Sequence, residues 1–195
     1  CLPKNSRRAV LYFRVSSSVR EAPERRFTKM ALQTWPTASA TIVDLPEQLE
    51  LMRANDEISA EEHRRINGYA INWLDFNAKL QLNKQADLIW MSQFLDCFSQ
   101  EEAISILVRA KEGLSEQGRI AILEPLWDKQ RNQTSALSLT ATSLYFTVLA
   151  NGNSRFFSSQ ELKQIIEAAG LKIIQIHDNL GISHSLYICE KATIK

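Results

Sequence analysis

Ala40-Thr-Ile-Val-Asp-Leu-Pro-Glu-Gln-Leu49 is the stretch on which the fold turns. A short β-branched run ends on Asp44, and Pro46 then opens an apolar-periodic segment. That order predicts a buried strand over residues 41–43 and a helix over residues 46–54, with the proline in the first helical turn. In an open α/β sheet, ligands gather at the carboxyl ends of the strands, where an acidic side chain is placed to hold a ribose diol. The plainer role for Asp44 is to cap the helix that follows. Both roles are open from these residues alone.

The same alternation of strand and helix continues outward. Residues 9–15 read as a strand, 16–26 as a polar loop containing Pro23, and 27–35 as a helix. That helix carries Phe27, Met30, Ala31 and Trp35 at helical spacing and ends before Pro36. Residues 57–65 form a charged helical pattern, and 68–73 a strand followed by Leu74-Asp75-Phe76. Another strand covers 86–91. Ser99-Gln-Glu-Glu102 then has the form of a capping box and opens a helix with Ala103, Ile106, Leu107 and Ala110 on one face. Residues 118–124 are a strand ending on a second carboxylate, Glu124. A long, weakly polar helix over 135–150 and an amphipathic helix over 158–169 follow, the latter stopped by Gly170. Two strands, 171–176 and 185–189, are joined only by a short link containing Asp178-Asn-Leu-Gly181, which predicts an antiparallel pair at the end of the sheet. The whole pattern is α/β: a doubly wound, mostly parallel sheet in one domain, with no internal repeat and no low-complexity tract.

Composition narrows the function classes. The net charge of +1 over 195 residues argues against a nucleic-acid or membrane footprint. The pairs Arg7-Arg8, Arg25-Arg26 and Arg64-Arg65 are short and read as solvated surface. Cys1, Cys97 and Cys189 are far apart in sequence and form no metal-ligand pattern with His63, His177 or His184. Reduced thiols and a cytoplasmic setting fit that usage. No apolar run is long enough to span a bilayer, and no secretory leader pattern is present.

Five segments, in order, resemble the S-adenosylmethionine-dependent O-methyltransferases that join a winged-helix dimerisation domain to a Rossmann-like catalytic domain. TIVDLPEQLE is similar to that family's second motif, and WLDF falls where the family has a Gly-Asp-aromatic turn. LDCFSQEEAISIL is similar to its LHDWSDE segment, and GRIAILEP to its strand ending in Glu. GNSRFFSSQELKQIIEAAGL is similar to its Gly-x-x-Arg segment and the helix beyond. The resemblance implies a methyltransferase domain over residues 27–195 whose sheet closes with an antiparallel strand. It implies O-methylation of a small hydroxylated molecule, S-adenosylmethionine as cofactor, and a homodimer as one assembly the family permits.

Carried over by position, the resemblance puts Asp44 on the ribose hydroxyls, with Leu45 beside it and Ser92 at the cofactor side of the next strand end. Asp75 accepts from the adenine amino group and Phe76 packs on the ring. A carboxylate that accepts two hydroxyls, and an acceptor next to an aromatic face, suit a nucleoside; the plainer role for Asp75 is that of a turn residue. The family's general-base histidine falls on Asp96, its following aspartate on Cys97, and its first supporting glutamate on Glu124. Its second supporting glutamate falls on Ser154. An aspartate near its ordinary pKa of ~3.9 is a weak base, but burial beside Glu124 raises it. Capping the helix that starts near Ser99 is the alternative for Asp96, and Cys97 reads as a small buried residue. The helix over 135–150 reads as core, or as a wall of the acceptor pocket or a dimer contact.

Residues 1–26 depart from the family. Its glycine-rich turn is expected just ahead of Phe27, where this chain has Ser16-Ser-Ser-Val-Arg-Glu-Ala-Pro-Glu-Arg-Arg26; the first glycine is Gly68. The abrupt change favours a shifted reading frame ahead of Phe27 over gradual divergence. A degenerate, non-catalytic fold serving as an interaction module is the alternative reading. A nicotinamide dehydrogenase is disfavoured, because GxGxxG is missing and the closing strands are antiparallel.

Overall fold

The computed structural model describes residues 9–13, 23–53, 61, 64–149 and 152–192. Seven strands form one sheet: β1 (Ala9–Phe13), β2 (Ser39–Asp44), β3 (Ile66–Ala70), β4 (Ala86–Ser92), β5 (Leu114–Pro125), β6 (Leu171–Leu180) and β7 (His184–Lys191). Their order across the sheet is β3-β2-β1-β4-β5-β7-β6. The pairs β1/β2, β1/β4, β2/β3 and β4/β5 are parallel, while β7 runs antiparallel to both β5 and β6. This is the doubly wound sheet with an antiparallel closing strand that the sequence predicts. All five parallel strands therefore end on one edge, and chemistry gathers there.

The helices are α1 (Pro23–Thr34), α2 (Pro46–Arg53), α3 (Gln100–Glu112), α4 (Gln133–Leu149) and α5 (Ser159–Ala168), with short 3-10 turns at Leu95–Cys97 and Trp127–Lys129. Both faces of the sheet are covered, as a parallel sheet requires. On one face Ile89, Met91, Ile120, Ile122 and Tyr187 pack against α3 and α5, joined by Trp73, Phe94 and Phe157. On the other face Leu88, Trp90 and Ala121 meet Phe27 and Trp35 of the α1 region, with the Phe27 and Trp90 rings stacked at 4.0 Å. Ile89 and Met91 alternate with Leu88 and Trp90 along β4, so this strand is apolar on both sides and reads as a nearly unbroken apolar run.

Helix boundaries follow local chemistry. Ser99 and Glu102 form the predicted capping box: Glu102 N donates to Ser99 Oγ at 3.3 Å and Ser99 N to Glu102 Oε2 at 2.7 Å. Ser158 and Glu161 repeat the device on α5. Gly170, at φ +71°, supplies the left-handed residue after α5.

Several boundaries differ from the sequence expectation. Residues 23–26, read as loop, are the first turn of α1, because Pro23 at a helix start loses no intrahelical hydrogen bond. Of the predicted stripe on α1, Met30 is exposed and Leu32 is buried instead. β3 ends at Ala70 rather than at residue 73, although Ile71 N still reaches Asp44 O at 3.0 Å. β5 begins at Leu114, four residues early, with a register shift against β4. Arg65 is not simply solvated: its Nη1 donates to Leu32 O and Pro36 O at 3.1 and 3.0 Å, tying α1 to the start of β2. Of the expected loop over 16–26, the replacement for the glycine-rich turn, residues 16–22 lie outside the described residues, as do the last two residues of the expected strand over 9–15 and most of the expected helix over 57–65. No helix among the described residues is long and apolar enough to cross a membrane.

Candidate functional site

Asp44 closes β2 and is almost fully buried. Its Oδ1 accepts from Leu45 N at 2.8 Å, so part of the carboxylate does fix the turn into α2. Leu45 itself is exposed beside it. β3 is the next strand outward, and the chain leaving it carries the second predicted group. Asp75 is exposed and its Oδ1 accepts from Asn77 N at 2.9 Å, the geometry of an Asx turn. Phe76, with 52% of its surface exposed, presents an open ring face next to it. Ser92 ends β4, half-buried, paired with Leu123 of β5. The β2, β3 and β4 ends thus bring Asp44, Asp75, Phe76 and Ser92 to one edge.

Beyond Ser92 the chain reverses sharply. Gln93 sits at φ +47°, a left-handed conformation that costs a non-glycine residue about 1 kcal/mol. Two contacts hold it there: Gln93 N donates to Leu123 O at 2.9 Å, and its Nε2 lies 2.8 Å from His184 Nε2. The reversal delivers the chain into the 3-10 turn that bears Asp96.

Glu124, at the end of β5, is 0% exposed. Its Oε1 accepts from Phe94 N and Leu95 N, both at 2.9 Å, and so caps that turn. Its Oε2 has no hydrogen-bond partner among the described residues. Burial, and then the charge of Asp96, push the Glu124 pKa well above the ordinary carboxylate range despite those N–H donors. Asp96 is 9% exposed, and burial raises its pKa from 3.8 to about 6, partly opposed by the thiol of Cys97, which donates to Oδ1 at 3.6 Å. Two buried carboxyls that disfavour joint ionisation therefore lie together where β4 and β5 end. Because Ser99 caps α3 itself, Asp96 is free of the capping role that was its alternative. The Cys97 thiol is driven far up by burial and by both carboxylates, which leaves it inert as a nucleophile.

Residues 152–158 wrap this turn. Arg155 N donates to Asp96 O at 2.8 Å, and Ser154 Oγ to Cys97 O at 3.5 Å. Thr147 Oγ1 to Ser154 O (2.7 Å) and Phe156 N to Ser143 Oγ (2.9 Å) then fasten the wrap to α4. α4 is not core: Leu137, Leu144, Tyr145, Phe146 and Val148 are exposed. Its hydroxyls, invisible as signals in an apolar helix, do the fastening. Sequence reasoning also passes over Gln93 and His184, whose pairing depends on the antiparallel closure. It passes over Arg109 as well, although a charge three residues after Ile106 on an apolar helix face is a readable anomaly. Among the described residues no group of three or more His, Cys, Asp or Glu could hold a metal ion.

A family model described as "O-methyltransferase domain" matches residues 26–172. A protein of Papaver somniferum named "Probable scoulerine-9-O-methyltransferase OMT3B" is 26% identical over 148 residues, which are 76% of this chain and 37% of that protein. Among solved structures, an O-methyltransferase family 2 protein from Planctomyces limnophilus in complex with apigenin superposes with a TM-score of 0.73 at 24% identity, over 95% of this chain and 51% of its own. Human N-acetylserotonin methyltransferase in complex with SAM gives 0.71 at 17% identity, over 94% and 48%. The chain thus spans 37% of the length of the curated relative and about half that of the solved structures.

Proposed function

We propose that this chain, which belongs to the O-methyltransferase domain family, binds S-adenosylmethionine along the β2–β4 edge and methylates an oxygen of a small hydroxylated molecule. The observation that carries the reading is the succession along one edge: a buried carboxylate, an acid beside an open aromatic face, then a buried carboxyl pair. The donor chemistry suits the nucleoside half of the cofactor. Asp44 would accept the ribose hydroxyls, Asp75 the adenine amino group, and Phe76 would cover the ring, with Leu45 and Ser92 flanking. When bound, S-adenosylmethionine supplies an electrophilic methyl group on a sulfonium.

The chain's own part is orientation and proton removal. Burial lifts Asp96 to about 6 and, with the charge of Asp96, holds Glu124 well above the ordinary carboxylate range, so the pair resists carrying two charges at once. Burial so gives an aspartate the basicity of an ordinary imidazole, about 6.5. Asp96 would take the proton of the acceptor hydroxyl as that oxygen gains the methyl group. Glu124, by capping the turn from below, fixes where Asp96 stands. α4 would wall the acceptor side, and its exposed Leu137, Tyr145 and Val148 would serve a homodimer contact. The free thiols Cys97 and Cys189 suit a cytoplasmic setting.

Calorimetric titration with S-adenosylhomocysteine, on the chain and on Asp44→Ala, tests the reading. Saturable binding that the substitution abolishes is the expected result. A folded chain that stays silent at millimolar ligand would overturn it.

A further inference from the structure

Arg109 lies on the buried face of α3 and is 6% exposed. Its guanidinium is spent almost entirely on the loop that carries Asp75 and Phe76. Nη2 donates to Trp73 O at 2.6 Å, and Nη1 to Asp75 O at 2.8 Å and Ala78 O at 3.4 Å; Nε turns back to Ser105 O at 3.3 Å. The same group lies over the Trp73 ring, 5.0 Å from its centroid. Three carbonyls converging on one fork turn the loop's backbone acceptors inward. The side chains between them, Leu74, Asp75 and Phe76, are left facing outward and exposed. The far end of the loop has its own anchor: Tyr69 Oη donates to Lys79 O and accepts from Gln81 N, both at 3.0 Å.

We propose that Arg109 is the positioning residue of this loop, presenting Asp75 and Phe76 so that the site selects adenine among purines; the proposal rests on the nucleoside reading above. An exposed Asx turn held only by its own side chain would sample many orientations, and an acceptor discriminates between an amino group and a carbonyl only when its direction is fixed. Lysine cannot replace the fork, because one ammonium is a point and the three carbonyls are spread. The helix adds a second consequence. α3 starts at Ser99, directly after the Asp96 turn, and reaches Arg109 about 15 Å further along its axis. One rigid element thus sets the distance between the adenine loop and the base.

The test compares two nucleosides. Dissociation constants for S-adenosylhomocysteine and for its hypoxanthine counterpart, S-inosylhomocysteine, are measured on the chain, on Arg109→Lys and on Gly181→Ala, a control at φ +59° between β6 and β7 whose added methyl meets no described atom within 4 Å. Expected are a preference of roughly tenfold or more for the adenine ligand in the chain and the control, and its collapse below about threefold in Arg109→Lys. Equal weakening of both ligands, with the ratio kept, would mean that Arg109 only supports the fold, and would overturn the proposal. Should Arg109→Lys fail to fold, Tyr69→Phe removes the other anchor from a half-buried position. A reduced ratio there supports the loop's role, and an unchanged one overturns it. Failure of the unsubstituted chain to bind either ligand would instead overturn the nucleoside reading itself.

Discussion

Asp96→Asn separates what the buried carboxyl costs from what it does. In the folded chain the Asp96 pKa stands at about 6 against 3.8 for an ordinary aspartate, mainly through burial. The folded state therefore holds the Asp96 proton to higher pH than the unfolded chain does. Stability from this group is complete below about pH 4 and is lost as pH rises through about 6. A difference of that size corresponds to about 3 kcal/mol of unfavourable ionisation by pH 7.5. Glu124, raised in the same sense by burial and by the charge of Asp96, adds to that decline.

Asparagine keeps an oxygen to accept from the Cys97 thiol and carries no charge. The substitution is thus expected to stabilise the chain by about 1–3 kcal/mol at pH 7.5 and by little at pH 4.5. Methyl transfer is expected to fall by about a hundredfold or more, since the base is gone. Urea unfolding followed by tryptophan fluorescence at the two pH values measures the first effect, and turnover of a competent acceptor the second. A variant no more stable than the parent at pH 7.5, with both folded and two-state, would refute the assignment of a strained carboxylate at this position.

The remaining expectations concern neighbouring groups. Glu124→Leu leaves the amides of Phe94 and Leu95 buried without acceptors and should cost about 2–4 kcal/mol in urea titration, whereas Glu124→Gln, which keeps the oxygen, should cost under half of that. Plots of kcat/KM against pH should rise to a plateau through an apparent pKa near 6, and the limb should disappear in Asp96→Asn. Gly170→Ala, at φ +71°, should lower stability by about 1 kcal/mol in thermal melts. Gly118→Ala should cost about 1–3 kcal/mol, because its added methyl would sit 2.8 Å from the backbone oxygen of Ala86, which cannot step aside.

The strands were readable because burial on both faces leaves a compositional trace: Thr41-Ile-Val43 and Ala86-Asp-Leu-Ile-Trp-Met91 carry it plainly. Helix starts were readable where a serine and a glutamate three residues on cap each other, as at Ser99 and Ser158. Strand ends were less so. The apolar residues Tyr69, Ile71 and Trp73, alternating across Ala70 and Asn72, hide the exit from β3, since Ile71 and Trp73 stay buried after the ladder is left. Asp44 and Glu124 were found as carboxylates at strand ends, which is a one-dimensional signal. The Glu124–Phe94 and Gln93–His184 contacts were not, because each joins strands that only the sheet order makes neighbours. Arg109 was hidden for a related reason: its partners are backbone carbonyls 31 to 36 residues away, and carbonyls have no letter in a sequence.

The place of β7 has a bearing on how the chain comes off the ribosome. Translation delivers β6 before β7, yet among the described residues β6 pairs with β7 alone, which is inserted between it and β5. The β6 segment must therefore wait, with its backbone groups unmatched, while the strands from β1 to β5 can already assemble behind it. A premature stop anywhere between Gly181 and Ser185 would release a nascent chain with a raw β5 margin and a stranded β6 segment. Such a product is a substrate for quality-control proteases and for edge-to-edge association. Nonsense alleles in this short interval should thus leave the sheet without β7 and behave as losses of this domain.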